Sequence, residues 1–345
     1  MFVVSLSSGE IGLARETAES FLRDAENERR TTEAAVARRS VGFARLAQGD
    51  LTGAEANLAQ VLRKYLPERD RDAKFRFGAD TGASAAGHLA RANWTMGDFE
   101  RARALSEEAL GRADETAHAP TQATAYHHIS LYHILRSDAR AVRRIANDLV
   151  ELSREHGMAL YLAFGEVHLN WALAQLDDRE SGMTGLREAL AIYLGQGNKL
   201  FAPLYQGLLA ELEAEGEGAD GALHRIDEAL ALANETGEHW ADALLHRLRG
   251  KILLKRDPAN PAVAEVVFLA AIAVAQAQKA RSFELQAALA VAKLYQLTGR
   301  PADAHGVLAQ ALEGFAPTAE MPEIAQAQAV LRQLEGGDSQ IVTEV

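Results

Sequence analysis

The sequence predicts an all-α fold in which antiparallel helix pairs stack into a solenoid with a period of about 40 residues. A common pattern begins at positions 9, 49, 97, 137, 177, 217, 259 and 299, so successive starts lie 40, 48, 40, 40, 40, 42 and 40 residues apart. Five residues after each start is a small residue or valine, and thirteen residues after it is an aliphatic one. The fifth-position residues are Ala14, Ala54, Ala102, Val142, Gly182, Ala222, Ala264 and Ala304.

Each repeat contains a first helix, helix A, and a second helix, helix B, joined by a short turn. Gly97 stands where a helix ends in the left-handed conformation, and Asp98 can then cap the next helix with its carboxylate. Asp50, Asp138 and Asp178 occupy the same place in their repeats. The predicted pairs are 30–47/51–66, 81–96/98–115, 119–136/138–156, 158–176/178–196, 200–215/218–236, 239–256/260–279 and 282–298/301–315.

The two ends of the array depart from this pattern. Helix 10–26 has the pattern of a helix B, and only MFVVSLSS precedes it where its helix A should be. The first repeat is therefore expected to be incomplete. The chain is expected to begin within a repeat, either of a longer protein or of an array whose first repeat has decayed. Helix 321–335, with Pro322 in its first turn, is expected to cap the stack. The prediction is therefore one solenoid over 1–335 with a flexible tail over 336–345.

One repeat is eight residues longer than the others, because PERDRDAKFRFGADTG follows helix 51–66. Loops with charged and aromatic residues often carry binding sites. A lengthened helix connection explains the same insertion, so both interpretations stay open.

Composition excludes several classes of function. The chain has 48 acidic and 36 basic residues, a net charge of −12, which disfavours nucleic acid as a partner. It has no cysteine, which excludes disulfides and cysteine zinc sites and fits a cytoplasmic location. The N-terminus lacks the basic region of a signal peptide, and no apolar run of membrane-spanning length is evident, so no membrane partner is expected.

The motif GD-x3-A-x6-AL resembles the second half of a tetratricopeptide (TPR) repeat, with a period about six residues longer than the usual 34. The segments DFERARALSEEAL, TGEHWADALLHRLRGKILL, KARSFELQAALAVAKLYQLTGRPADAHGVLAQAL and FGADTG resemble a bacterial TPR array. That array lies C-terminal to an AAA-type ATPase module in large signalling proteins, often with a nucleotide cyclase or DNA-binding domain. The resemblance implies a right-handed superhelix that regulates a catalytic domain elsewhere. No GxxxxGK[ST] phosphate loop is present in this chain.

Helix A lines the concave groove of such arrays, which gives the candidate binding residues. Three histidines at 40-residue spacing form a predicted ladder, and aromatic and charged residues accompany it. The candidates are His88, Arg91, Trp94, His127, His128, His168, Trp171 and Glu211. They favour a peptide groove whose histidines become partly charged below pH ~6.5; the alternative is that the histidines and tryptophans pack between repeats. The ladder spacing is too wide for one metal ion, and His127 and His128 are expected to point apart.

A second candidate is a basic patch that would dock an acidic partner or simply face solvent: Arg136, Arg140, Arg143 and Arg144. No catalytic, metal-binding or cofactor motif is evident, so no enzyme activity is expected of this chain. The leading hypothesis is a noncatalytic protein-interaction and regulatory module. The alternatives are a sensor that binds a small molecule or peptide in the groove, and an oligomerisation scaffold.

Overall fold

The computed structural model describes residues 2–216 and 218–341, which form nineteen α-helices and, over those ranges, no strand. The helices are α1 Phe2–Ser7, α2 Ile11–Asn27, α3 Thr31–Ala47, α4 Leu51–Lys64, α5 Pro67–Asp70, α6 Ala73–Phe77, α7 Thr81–Met96, α8 Phe99–Thr116, α9 Ala119–Leu135, α10 Ala139–Glu155, α11 Ala159–Leu176, α12 Arg179–Gly195, α13 Ala202–Glu215, α14 Ala219–Thr236, α15 Asp242–Arg256, α16 Pro261–Gln278, α17 Arg281–Leu297, α18 Pro301–Leu312 and α19 Pro322–Ile341.

The predicted helix pairs are confirmed, as is the chemistry of the turns between them. Gly97 ends α7 with φ of 91°, and Asp98 accepts a hydrogen bond from the backbone N–H of Arg101 at 3.2 Å. Asp50, Asp138 and Asp178 cap α4, α10 and α12 in the same way. Each aspartate satisfies a backbone donor that the first helical turn leaves free.

The ends of the array follow the expected order with two differences. The segment before α2 is itself helical, so the reduced first repeat contains the six-residue α1 as its helix A. The last helix, α19, continues to Ile341, beyond the predicted end at 335. Residues 342–345 of the predicted tail lie outside the described residues.

The eight-residue insertion between α4 and α7 is a folded connection that contains α5 and α6. Its centre is Asp70, only 1% exposed, which accepts hydrogen bonds from Arg69, from the Thr32 hydroxyl at 2.8 Å and from the Leu66 backbone at 3.0 Å. These interactions hold the pKa of Asp70 below its usual value despite burial. The insertion is therefore anchored to α3 by a buried carboxylate.

The solenoid winds so tightly that repeats about five apart touch each other. The Ser282 hydroxyl donates to the Trp94 carbonyl, and Tyr132 donates to Glu320; both pairs are 188 residues apart. The Lys199 backbone donates to the Ser7 carbonyl, and the His239 backbone donates to the Ala47 carbonyl, at separations of 192 residues. One superhelical turn thus takes just under five repeats, and its concave side is closed.

We expect Glu320→Ala to lower the free energy of unfolding by about 2 kcal/mol, because it removes a buried contact between successive turns. The Glu320 carboxylate, 17% exposed, accepts from Arg136 at 2.9 Å and from the Tyr132 hydroxyl at 3.2 Å. Urea unfolding measures the loss. Glu188→Ala, at an exposed position on α12, is the control and should change stability by less than about 0.5 kcal/mol. Equal effects of the two variants would contradict the proposed role of this contact.

One described helix, α16, is long and apolar enough to cross a membrane by length and composition, with a mean hydropathy of 1.6 over 18 residues. This corrects the expectation that no such segment exists. In the structure α16 is the helix B of its repeat and packs between α15 and α17, with Phe268 and Ala271 in the core. Its outer face leaves Val266 68% exposed.

Candidate functional site

The predicted histidine ladder lies inside the closed turn of the superhelix. The relative exposures of His88, His127, His128 and His168 are 6%, 2%, 6% and 0%. The rings of His88 and His128 are 4.2 Å apart, and those of His127 and His168 are 5.3 Å apart. His127 and His128 also meet, with ring centroids 4.7 Å apart, so the expectation that they point apart is wrong.

Burial keeps these histidines neutral. Phe43 stacks on His88 at 4.5 Å and Phe164 stacks on His127 at 3.9 Å, which excludes water from the rings. Burial, with a smaller repulsion from Arg91 and other cations, holds the pKa values of His88, His127 and His128 well below 6.5, and burial lowers the pKa of His168 to about 3. The expected charging below pH ~6.5 therefore does not hold for the folded protein.

Arg91 is the central cation of this interior. Its side chain is 1% exposed, and its guanidinium lies 4.6 Å from the ring of Trp240 and 5.2 Å from that of Phe201. Within the described residues its three side-chain nitrogens have no hydrogen-bond acceptor. Cation–π contacts and the nearby charge of Glu238 take the place of an ion pair.

Glu238 is a buried acidic residue of this interior that was not among the candidates predicted from the sequence. It accepts hydrogen bonds from the Trp240 indole and the Phe201 backbone, both at 2.8 Å. Burial raises its pKa to about 7, although both hydrogen bonds and Arg91 oppose that rise. The GEHW sequence around it resembles an ordinary turn, and only the return of the superhelix onto Arg91 gives this glutamate its environment.

The remaining groove candidates have structural partners. Trp94, 1% exposed, packs edge-on against Phe99 and Phe283 at 6.2 Å, and Trp171 is 4% exposed. Glu211 pairs with Lys251 at 2.6 Å, which with Arg247 lowers the pKa of the glutamate. These positions therefore pack the solenoid, and their role in binding stays a prediction.

The predicted basic patch is divided between structural and exposed positions. Arg136 is 16% exposed and binds Glu320, and Arg143 pairs with Asp177 at 2.7 Å. Arg140 and Arg144 are exposed on α10. Arg143 is itself 45% exposed, so only Arg136 is largely withdrawn from solvent, and docking by the three exposed arginines is untested.

The groove face opens toward the C-terminal repeats. Equivalent positions of successive helices A hold Arg91, Leu131, Trp171 and Glu211, and the next two, 40 and then 42 residues further on, hold Lys251 and Lys293. The first three are buried, Glu211 is half-buried, and Lys251 and Lys293 are exposed.

This open part, which we call the C-terminal groove, lies between α15, α17 and α19 and has a volume of about 490 Å³. Its apolar surface includes Leu254, Leu289 and Leu297, and the last of these is 80% exposed. Four cations line it, Arg247, Lys251, Lys255 and Lys293, together with the single acidic residue Glu323. Only Lys251 of the four has a carboxylate partner among the described residues.

The described residues contain no group of three or more histidine and acidic side chains placed to hold a metal ion. His88, His127 and His128 contact one another directly, and Phe43 and Phe164 pack against them. The cluster is therefore packed as a stack of rings.

Comparison with known proteins supports the fold. The apo form of RapI superposes with a TM-score of 0.50 over 87% of this chain and 99% of RapI, at 13% identity. Yeast Tom70 gives a TM-score of 0.47 over 97% of this chain and 62% of Tom70, at 15% identity. The likeness to RapI and the helical content confirm the predicted all-α, TPR-like solenoid.

Sequence comparison gives a distant relative. An uncharacterized protein of Rhizobium meliloti (strain 1021), R02095, is 22% identical over 240 residues, which are 69% of this chain and 23% of that protein. The match thus spans about a quarter of the relative's length. No family model matches the chain.

Proposed function

We propose that this chain is a noncatalytic interaction module that binds an acidic, amphipathic segment of a protein partner in the C-terminal groove. The observation that carries the proposal is the combination of an open apolar floor and unpaired cations in a chain with a net charge of −12. TPR-like solenoids typically act through such surfaces rather than through catalytic pockets.

Charge complementarity identifies the partner's chemistry. Arg247, Lys255 and Lys293 lack a carboxylate within 4 Å in the part of the chain that the structure describes. Basic side chains held close together with few counter-ions attract carboxylates and repel one another, so an acidic segment relieves their repulsion. The acidic remainder of the surface repels the same segment, which favours binding in this groove.

The apolar floor indicates an amphipathic segment. Leu297 is 80% exposed, and Leu254 is half-buried beside the buried Phe268. An aliphatic side chain of a partner would bury the exposed Leu297 and so stabilise the complex through the hydrophobic effect. A helix with leucines on one face and carboxylates on its flanks fits both features.

The module's wider role is a further part of the proposal. The resemblance to arrays that follow AAA-type ATPase and nucleotide cyclase domains, and a curated relative of which the match covers 23%, favour a place within a larger signalling protein. In that setting the bound segment would control a catalytic domain outside this chain. Self-association is the alternative, in which a second copy supplies the acidic segment.

The proposal is tested by photo-cross-linking from the groove in the cells from which the protein comes. With Leu297→p-benzoylphenylalanine, we expect cross-links to one protein segment that mass spectrometry identifies as acidic and leucine-rich. The same photo-reactive residue at Ile192, 59% exposed on α12, is the matched control and should not capture that segment.

Charge-reversal variants then distinguish binding in the groove from nonspecific association. Lys255→Glu with Lys293→Glu should abolish the Leu297 cross-link, whereas Arg23→Glu on the exposed surface of α2 should leave it unchanged. Binding of the synthesised segment should weaken roughly tenfold between low and moderate salt. A cross-linked segment without acidic residues, or one that survives charge reversal, would refute the proposal.

A further inference from the structure

A second recess lies at the other end of the solenoid, between α1, α3, α7, α9 and α11. It has a volume of about 480 Å³ and adjoins a smaller cavity of about 130 Å³, since both are lined by Leu6, Phe43, His128 and Tyr161. Volumes of this size accommodate small organic ligands. We refer to the two together as the N-terminal recess.

The recess has one cation and no acidic side chain. Arg39 lines it, and among the described residues its guanidinium has only the Ser84 hydroxyl as a partner, at 3.3 Å. No aspartate or glutamate lines either cavity, although the chain has 48 acidic residues. Asp80 attracts Arg39 electrostatically from outside the lining but makes no ion pair with it. The guanidinium therefore keeps donors that a planar anion could accept, and its two-pronged geometry matches such an anion.

Three buried histidines line the same space. His88 and His128 line the larger cavity and His127 lines the smaller one, and each is more than nine-tenths buried. The Nδ1 atoms of His88 and His128 and both ring nitrogens of His127 have no hydrogen-bond partner within the described chain. Buried polar groups are nearly always hydrogen-bonded, so these rings retain unused hydrogen-bonding capacity beside the recess.

The remaining lining is apolar and aromatic. Phe43, Met158 and Leu160 face the recess, and Phe164 closes its inner end. The Tyr161 hydroxyl is already bound to Thr124 at 2.7 Å. The neutral histidines and a single guanidinium suit a monoanion, because a dianionic phosphate would need more positive charge than one cation provides.

From this arrangement we propose that the N-terminal recess binds a small organic carboxylate with an apolar body, its carboxylate on Arg39 and its body against Phe43 and Leu160. The neutral imidazoles of His88 and His128 complete the site as hydrogen-bonding groups. This site is independent of the C-terminal groove, and it identifies where a small-molecule effector acts on the first superhelical turn.

The test is calorimetric titration of the full chain with octanoate, 3-phenylpropanoate and indole-3-acetate, each paired with its neutral amide. We expect at least one acid to bind with a Kd below about 1 mM and its amide to bind at least about tenfold more weakly. The ring signals of His88 and His128 should shift in NMR spectra of the complex. Failure of all three acids, or equal binding of acid and amide, would overturn the proposal.

Variants locate the site. Arg39→Gln should weaken the acid at least about tenfold and remove the preference for acid over amide, whereas Arg39→Lys should retain part of it. The control is Arg38→Gln, since the neighbouring Arg38 pairs with Glu26 and does not line the recess. Leu160→Trp keeps Arg39 and fills the recess, so it should also abolish binding. Circular dichroism establishes that each variant is folded, and unchanged binding by Arg39→Gln would refute the site.

Discussion

Lowering the pH from 7 to 5 is expected to destabilise the protein by several kcal/mol, because four buried histidines are neutral in the folded chain. Their pKa values lie well below 6.5 in the native state, whereas an unfolded histidine titrates near 6.5. Below pH 6.5 the unfolded state therefore binds more protons. Each histidine then removes up to about 1.4 kcal/mol of stability per pH unit, which for the four together is up to about 6 kcal/mol per pH unit.

Glu238 opposes part of this loss. Its folded pKa of about 7 exceeds the value of an unfolded glutamate, so the native state takes up a proton first as the pH falls from 7. That uptake adds at most about 3 kcal/mol by pH 4.5. Four histidines outweigh one glutamate, so the net effect of acid is destabilising below about pH 6.

Urea unfolding between pH 7.5 and 4.5 measures this dependence. His127→Phe should keep the stack on Phe164, remove two unpartnered nitrogens and reduce the slope below pH 6 by about one proton. His224→Gln is the control, because His224 is 79% exposed on α14 and should leave the slope unchanged. A His127→Phe slope equal to that of the unaltered protein would contradict the linkage.

The second large effect is expected from Gly182→Ala, which should lower the free energy of unfolding by about 3 kcal/mol. A Cβ at Gly182 would lie 2.3 Å from the backbone nitrogen and 2.7 Å from the Cα of Ala174. Because the obstacle is the backbone of α11, relief requires α11 and α12 to move apart. That movement would disturb the packing of neighbouring repeats.

Gly221→Ala is the matched control, since a Cβ at that position in α14 meets no atom within 4 Å. It should stabilise the helix by about 0.5–1 kcal/mol through the lower flexibility of alanine in the unfolded chain. Urea unfolding measures the free energy of unfolding of both variants. A Gly182→Ala protein within about 0.5 kcal/mol of the original would show that α11 and α12 can separate freely.

This prediction could not come from the sequence pattern. The equivalent position is alanine in most other repeats, including Ala102 and Ala222, and the pattern alone therefore treats alanine at 182 as acceptable. The distance between α11 and α12 decides otherwise. It depends on how the whole array packs and not on the residue types within one repeat.

The sequence by itself determined the helices, their order and their turns. A glycine such as Gly97 and an aspartate such as Asp98 act within a few residues of their own position, so their effects follow from local chemistry. The 40-residue period likewise predicted the solenoid, because each repeat needs its neighbours to bury its apolar face.

Only the tertiary structure decided which part of the groove is open. Small rotations between successive repeats accumulate over almost five repeats and place Glu320 against Arg136 and Trp240 against Arg91. Each rotation depends on many side-chain contacts. The total rotation therefore cannot be predicted from the residues at any one position of the repeat. The same winding buries the predicted histidine ladder and leaves Lys293, at the position equivalent to Arg91 in a later repeat, exposed.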